Sequence, residues 1–558
     1  MSLHRLRDLP LLLLALLLLV PVGGVLVAWL QWDAQSADIP REMAATVLPR
    51  YAGASLALCL AVAVGTALVG TAGAAAVTLF EFPGRRVFEW ALLLPLAMPA
   101  YVVAYAYTDF LQFSGPLQTW LRAGLSLEGR VFPEVRNLPG AAWVFVFTLY
   151  PYVYLLARAA LSERATHLME AARLLGAPMR RRMVAVALPL ARPAIAAGVA
   201  LALMETLADF GVSSYFGIQT FSAGIYKAWL AMDNRVAAAQ LATALLAVVG
   251  LLLWLEHRAQ RRLRFAALRG ARAGSAEAQP TRLSGHQVPL AWAVCGVPVL
   301  AGFILPVLFM LRPLLAADVD LPWERFGQWA FNSARLGLAG ATLAIVIALA
   351  LAFALRQRPD PLTRGVVHLA GLGYAVPGAV IVVGLLVPVG WLQTRWPDLP
   401  LAFWVTGTVL GVVWAYLVRF MSVALQAVQA GYARIPPSVD DSARMLGASG
   451  IRLLARVHAP LLQRSVLAGA LLVLVDVMKE LPATLVLRPF DTDTLAVVAY
   501  QLARDERLGE AALPSLALVL VGLVPVMLLS RTLRDPSVAQ VSDGPSSSLQ
   551  NKTSPVGT

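Results

Sequence analysis

Charge is scarce in this 558-residue chain: Asp, Glu, Lys and Arg make up 14% of it, hydrophobic residues 59%, and the mean hydropathy is +0.71. Soluble chains carry roughly 25% charged and 45–50% apolar residues, so a set of water-soluble domains is excluded and an integral membrane protein is implied. No stretch between the apolar runs is large enough for a separate soluble domain, which rules out an extracellular enzyme or an attached cytosolic ATPase domain. Lysine is nearly absent. Lys227, Lys479 and Lys552 follow Tyr226, Met478 and Asn551, whereas a phosphate-binding loop needs Gly-Lys before Ser/Thr so that the lysine reaches the phosphates. No nucleotide site is encoded, and energy for any pumping must come from a partner chain or an ion gradient. The two cysteines, Cys59 and Cys295, fall inside apolar runs and read as small core residues without a disulfide framework. The six histidines are scattered, with no H-E-x-x-H, and no G-x-S-x-G is present, which speaks against a membrane enzyme.

What the sequence does contain is a series of apolar runs of bilayer length, about 20 residues each. About twelve spans are expected, among them Phe88 to Phe110, Pro193 to Ser214, Gly365 to Leu392, Ala402 to Val423 and Ser465 to Leu487. The leucine run from Leu11 follows Arg5 and Arg7 but is closed by no small-residue cleavage site, so a retained first helix is predicted. The net charge of +13 comes from arginines in short loops, which act as topology signals and lipid-headgroup contacts; no nucleic-acid partner is implied. Their two-to-one excess on alternate segments, with Arg419 among those counted, places both termini in the cytoplasm. The expected organisation is a first half at 1–256, a polar, irregular cytoplasmic linker at 257–286, a second half at 287–535, and a Ser-, Pro- and Gly-rich disordered cytoplasmic tail at 536–558.

An internal repeat carries the most information. Glu170-Ala171-Ala172-Arg173-Leu174-Leu175-Gly176, then Leu188-Pro189, recurs as Asp441-Ser442-Ala443-Arg444-Met445-Leu446-Gly447, then Ala459-Pro460, each residue 271 positions later and without a gap. Each copy falls between the fourth and fifth spans of its half, and an even number of spans per half makes the two halves parallel copies. Strong helix formers lead into Gly176, where a left-handed residue ends a helix, and Met179 to Leu188 form a second helical stretch expected to break at Pro189. A helix, glycine turn and second helix on the cytoplasmic face suit docking on a partner. A single copy would equally suit an interfacial helix held to anionic lipid by Arg180, Arg181 and Arg182; duplication at fixed offset disfavours that.

These residues resemble the EAA loop of permease subunits in binding-protein-dependent ABC importers. The resemblance implies an all-α integral membrane fold of about twelve transmembrane helices in two parallel homologous halves, a type I importer permease. It also implies that Glu170, Ala171, Gly176 and Pro189, with Asp441, Ala443, Gly447 and Pro460, dock an ATP-binding cassette ATPase dimer. The second copy departs from the pattern at Asp441, Ser442 and Ala459, so its contact differs in strength. Three further segments, Pro95 to Tyr101, Met204 to Gly211 and Asp476 to Thr484, resemble the ferric-iron branch, whose permeases are often fused with two EAA loops; fused thiamine permeases share that layout. A periplasmic substrate-binding protein, membrane lipid and the bacterial inner membrane follow from the resemblance. So does a non-enzymatic role in which ATP is used by the partner and no cofactor is bound by this chain.

The same offset places Glu205 on Asp476 and Asp209 on Glu480, two carboxylates four residues apart on one helical face in each half. Ionisable groups in spans usually face a cavity or a partner, and a hard trivalent cation prefers oxygen ligands. The four are candidate translocation-path residues, with Tyr101, Tyr105, Tyr107 and Asp109 as further oxygen donors. Against this stands a structural reading: Lys479 pairs with Asp476 at i,i+3, Glu205 and Asp209 reach headgroups from a span end, and Pro99 is an ordinary kink in a packed span. A six-plus-six secondary transporter also fits the halves and linker, but not the duplicated loop.

Overall fold

A computed structural model of the chain describes residues 3–27, 29, 45–162, 169, 172–270, 280–316 and 321–532. It is helical almost throughout: α1 (Leu3–Val27), α2 (Leu48–Leu79), α3 (Ala100–Leu111), α4 (Leu138–Ala160), α5 (Met179–Ala208) and α6 (Arg235–Gly270) in the first half. The second half has α7 (Gln287–Leu315), α8 (Trp323–Gln357), α9 (Gly378–Arg395), α10 (Val409–Tyr432), α11 (Gly450–Lys479) and α12 (Leu508–Thr532). Among the described residues eleven helices are long and apolar enough to cross a membrane, or twelve if a pair bent by 89°, Arg85–Ala97 with Ala100–Leu125, is one span. The all-α, twelve-span expectation holds.

Four of the expected spans are broken, and each break has a local cause. In the span expected at Phe88 to Phe110, Pro99 stands between a 3₁₀ turn, Leu94–Ala97, and α3 with φ −60° and ψ 140°, so it is the corner of the 89° bend and no mere kink. Pro377 repeats this before α9 with φ −59° and ψ 143°, interrupting the span expected from Gly365. The other two breaks fall at acidic residues, Asp209 after α5 and Glu480 after α11, where the backbone turns extended. By contrast Pro189 and Pro460 break nothing. Each follows a π-helical turn, Met183–Ala187 and Leu454–His458, whose altered hydrogen-bond spacing accommodates the proline, and the helix runs on through it.

The two halves are not self-contained. α1 packs against α9 of the second half so closely that a Cβ on Gly384 would lie 1.7 Å from the Pro21 carbonyl oxygen. α7 reciprocates against the first half, where a Cβ on Gly302 would lie 2.2 Å from the Phe147 carbonyl oxygen. Small residues let helix backbones meet in a membrane, and here they let each half's first span wrap the other half. The stretch expected to be an irregular linker is helical through Gly270, and beyond it Thr281–Arg282 pair in parallel with Phe80–Glu81 of the first half. The tail at 536–558 lies outside the described residues.

Candidate functional site

Two places bring the candidate residues together. The first is the pair of tips that project from one end of the bundle, the loop face. In the first tip the N–H of Ala177 bonds the Ala172 carbonyl at 3.0 Å and that of Gly176 bonds Arg173 at 2.9 Å; in the second, Ala448 bonds Ala443 and Gly447 bonds Arg444, both at 2.9 Å. This is the glycine-ended Schellman cap, with φ +77° at Gly176 and +81° at Gly447. Asp441 is exposed and lies 3.5 Å from Arg444, while Ala443 is buried and Pro189 is half-buried at the root of α5. Glu170 and Ala171 lie outside the described residues. The side chains that stand furthest out are ones the motif had not singled out: Leu174 and Leu175, 89% and 87% exposed, and Met445 and Leu446, 90% and 89% exposed. Apolar pairs this bare, at equivalent positions of the two tips, have the character of an interaction surface. Their signal was in the sequence, as the two apolar residues before each turn glycine.

The second tip is anchored differently from the first. Asp440 receives Arg356 Nε and Nη2 at 2.8 and 2.9 Å and lies 3.0 Å from His458 Nε2, and His458 Nδ1 lies 3.1 Å from the Tyr432 hydroxyl. The positions 271 residues earlier hold Met169, Ala187 and Leu161, all in a buried apolar cluster. One tip is tied to its spans by charge and hydrogen bonds, the other by packing.

The second site is a cavity of about 180 Å³ inside the bundle, where α3, α4, α5 and the turns before α9 and after α11 meet. All four predicted carboxylates line it, with Tyr101, Tyr152, Tyr374, Arg419 and Lys479. They do not lie on two helical faces as expected, because α5 and α11 end before the second acid of each pair. Asp209 instead caps the helix that follows, its Oδ1 accepting from Val212 N at 2.9 Å and Ser213 N at 3.4 Å. Glu480 does the same more fully, accepting from Ala483 N and Thr484 N at 2.9 Å and from the Thr484 hydroxyl at 2.6 Å. Arg419 Nη1 lies 3.5 Å from Glu480, the two side chains being 11% and 1% exposed. Lys479 donates to the Leu96 carbonyl at 3.1 Å, so the expected pairing with Asp476 gives way to a backbone contact, and the expected headgroup placement of Glu205 and Asp209 gives way to the cavity. Of the other proposed donors only Tyr101 lines it; Tyr105 packs on Tyr215, Tyr107 donates to the Ala301 carbonyl and Asp109 pairs with Arg312. Among the described residues no three His, Cys, Asp or Glu converge as metal ligands.

Arg419, Tyr152 and Tyr374 were missed from the sequence. Arg419 had been grouped with the loop arginines, yet it stands inside an apolar span, which is itself the signal for a cavity or a partner. Tyr374 is shared with a second cavity of about 440 Å³ nearer the loop face, lined also by Met204, Gln426 and Gln429.

Residues 67–264 match the family described as binding-protein-dependent transport system inner membrane component. The chain is 26% identical over 487 residues to an Fe(3+)-transport system permease protein of Haemophilus influenzae, covering 86% of this chain and 88% of that one. It is 27% identical over 230 residues to a putative 2-aminoethylphosphonate transport system permease protein of Salmonella typhimurium, 41% of this chain and 81% of that one. It is also 27% identical over 194 residues to a probable sulfate transport system permease protein of Nephroselmis olivacea, 35% of this chain and 66% of that one. The resemblance seen in the loops is thus matched by a family model over much of the first half and by an importer permease over most of the chain, and the described residues form a multi-pass helical bundle with both tips in one polypeptide.

Proposed function

We propose that this chain is the translocation pore of a bacterial inner-membrane importer that carries ferric iron from a periplasmic binding protein into the cytoplasm. The cavity carries the reading. Four carboxylates and three tyrosines around one space inside the bundle supply the hard oxygen donors that suit a trivalent cation. Because they do not converge as a ligand cage, they lower the barrier to passage without holding the ion, as a transport path requires. The similarity to an Fe(3+) permease over most of both chains supports the same substrate.

In this reading the loop face is cytoplasmic, as are both termini, and the exposed pairs Leu174/Leu175 and Met445/Leu446 seat in two copies of an ATP-binding cassette ATPase. ATP binding closes the ATPase dimer, moves both tips and turns the pore from inward to outward opening. ATP is consumed by the partner; this chain binds no cofactor of its own, and its outer surface contacts lipid.

A second reading, an oxyanion path, is favoured by Arg419 and Lys479 in the same cavity and by the similarity to sulfate and phosphonate permeases. Uptake by the reconstituted importer with its cognate binding protein decides between them. Accumulation of labelled ferric iron, uncompeted by sulfate, 2-aminoethylphosphonate or thiamine, is expected; accumulation of one of those solutes in its place would overturn the iron assignment.

A further inference from the structure

On the side of the cavity away from the loop face, the two halves are joined by phenol hydroxyls. Tyr101 of the first half donates to the Lys479 carbonyl of the second at 3.2 Å. Tyr226 of the first half donates to the Pro482 carbonyl of the second at 2.6 Å. Ser214 of the first half and Tyr500 of the second lie 2.9 Å apart, hydroxyl to hydroxyl. The Phe210 ring sits between, 4.1 Å from the Tyr226 ring and 5.5 Å from that of Tyr500, and all four rings are at least 95% buried. Further out, Arg136 pairs with Glu506 across the same seam at 2.6 Å.

The acceptors explain why the seam sits here. α11 stops at Glu480, so its last carbonyls have no intrahelical donor, and the Lys479 carbonyl is one of these orphans. The break that places the carboxylates in the cavity therefore also leaves a partner for Tyr101. Gly211 admits the ring, since a Cβ there would lie 2.7 Å from Tyr101 Cβ. On the other side, Tyr374 stands between this cavity and the one nearer the loop face, lining both. The halves are thus hydrogen-bonded across one side of the cavity, while a second cavity lies on the other.

We propose that Tyr101, Tyr226 and Tyr500 are the outer gate of the pore. Their hydroxyls hold the two halves together in the resting state, and all three inter-half bonds break as a unit when the tips are driven toward outward opening. The rings exclude water from the seam, and the hydroxyls set how much of the protein is outward-open at rest. Removing one ordinary hydrogen bond, about 1 kcal/mol, shifts such an equilibrium roughly fivefold.

The test uses the full chain with Cys59 and Cys295 replaced by Ala and a reporter Ala208→Cys in the cavity, in right-side-out vesicles. A membrane-impermeant maleimide added outside should label the reporter roughly fivefold faster in each of Tyr101→Phe, Tyr226→Phe and Tyr500→Phe, and faster still in the triple variant. Tyr107→Phe is the control, because its hydroxyl bonds the Ala301 carbonyl of α7, the span that packs on the first half, and does not cross this seam. In the complex with its ATPase, hydrolysis without binding protein should rise in the same order. Unchanged labelling in the triple variant, or an equal rise in Tyr107→Phe, would overturn the gate. The ATPase arm rests on the importer reading, whereas labelling needs neither nucleotide nor substrate, so the two can fail separately. Phe keeps each ring, and membrane yield reports any failure to fold.

Discussion

Arg419 and Glu480 lie side by side in the cavity, Nη1 to Oε1 3.5 Å, and no such pair stands at the related positions of the first half. There, 271 residues earlier, are Thr148 and Asp209; likewise Lys479 corresponds to Ala208. Both cations of the cavity therefore come from the second half, where they offset Asp476 and Glu480, while Glu205 and Asp209 of the first half have no cation on their own side. The repeat built two equivalent scaffolds with unequal charge.

This asymmetry ranks the carboxylates. Glu205→Gln should lower cation uptake at least tenfold, since losing a charge with no cation from its own half, about 10 Å from a passing ion at an effective dielectric near 20, costs about 1.5 kcal/mol per unit of ion charge, tenfold for one unit and more for a trivalent ion. Asp476→Asn should lower it less. Initial uptake rates normalised to membrane yield check this; equal effects, or rates that follow yield alone, would remove the charge argument.

Asp209 should separate from Glu205 in a different measurement. Because it caps the helix at Gly211–Tyr215, Asp209→Asn keeps a cap of nearly equal quality, whereas Asp209→Ala loses about 1 kcal/mol of stability. Thermal unfolding of the purified chain should show Ala well below Asn, with uptake reduced in both. Matching melting temperatures would mean that the cap contributes nothing.

Gly176→Val and Gly447→Val place a β-branched side chain at φ +77° and +81°, where only glycine is comfortable. Nothing lies within 4 Å of either missing Cβ, so the damage is backbone strain confined to the tips. The spans should insert normally while ATPase co-purification falls severalfold. Replacing Leu174 and Leu175, or Met445 and Leu446, by Ser should do the same without strain. Full ATPase binding in all four variants would sink the docking assignment.

The sequence made the repeat, the turn glycines and the four carboxylates legible because each is a local pattern preserved at a fixed offset. It hid the way the carboxylates reach the cavity, because helical periodicity assumes that the helix continues, and whether Asp209 is a fifth-span residue or the cap of the next helix depends on where α5 stops. Arg419 was hidden for a related reason: charge counting credits an arginine to the nearer loop, and only packing against Glu480 shows it to be inside. Leu174 and Met445 could have been found by asking why a polar loop carries apolar pairs at its apex.

Asp440 should make the second tip sensitive to acid. The Arg356 guanidinium, followed by His458, holds its carboxyl below the usual carboxylate range despite partial burial. A carboxyl lowered on folding contributes stability that is complete above its unfolded pKa, near 4, and is lost as pH falls through the folded value. Melting temperature between pH 7 and pH 3 should therefore fall in the wild type below about pH 4. Asp440→Asn should start lower at pH 7 and fall less. Parallel curves would show that the carboxylate is not the source.

Gly378 offers the sharpest probe of the cavity itself. It opens α9 directly after the Pro377 corner, and a Cβ there would lie 2.9 Å from Pro482 Cβ and 3.0 Å from both Arg419 Nη1 and Glu480 Oε1. No backbone conformation forbids alanine at this site; the obstacle is three close atoms, two of them the charged pair. Pro482 is fixed by its ring, and Glu480 is held by three hydrogen bonds to the helix it caps, so the Arg419 guanidinium is the part free to move. Gly378→Ala should therefore displace Arg419 from Glu480 at a cost of about 1–3 kcal/mol, the usual range for overpacking, and change uptake while the chain still inserts. Gly365→Ala is the matched control: it lies on the helix Pro361–Leu372 with nothing within 4 Å, so alanine there should be neutral or slightly stabilising. If Gly378→Ala transports and melts like Gly365→Ala, the close approach of α9 to the Arg419–Glu480 pair has no part in shaping the path.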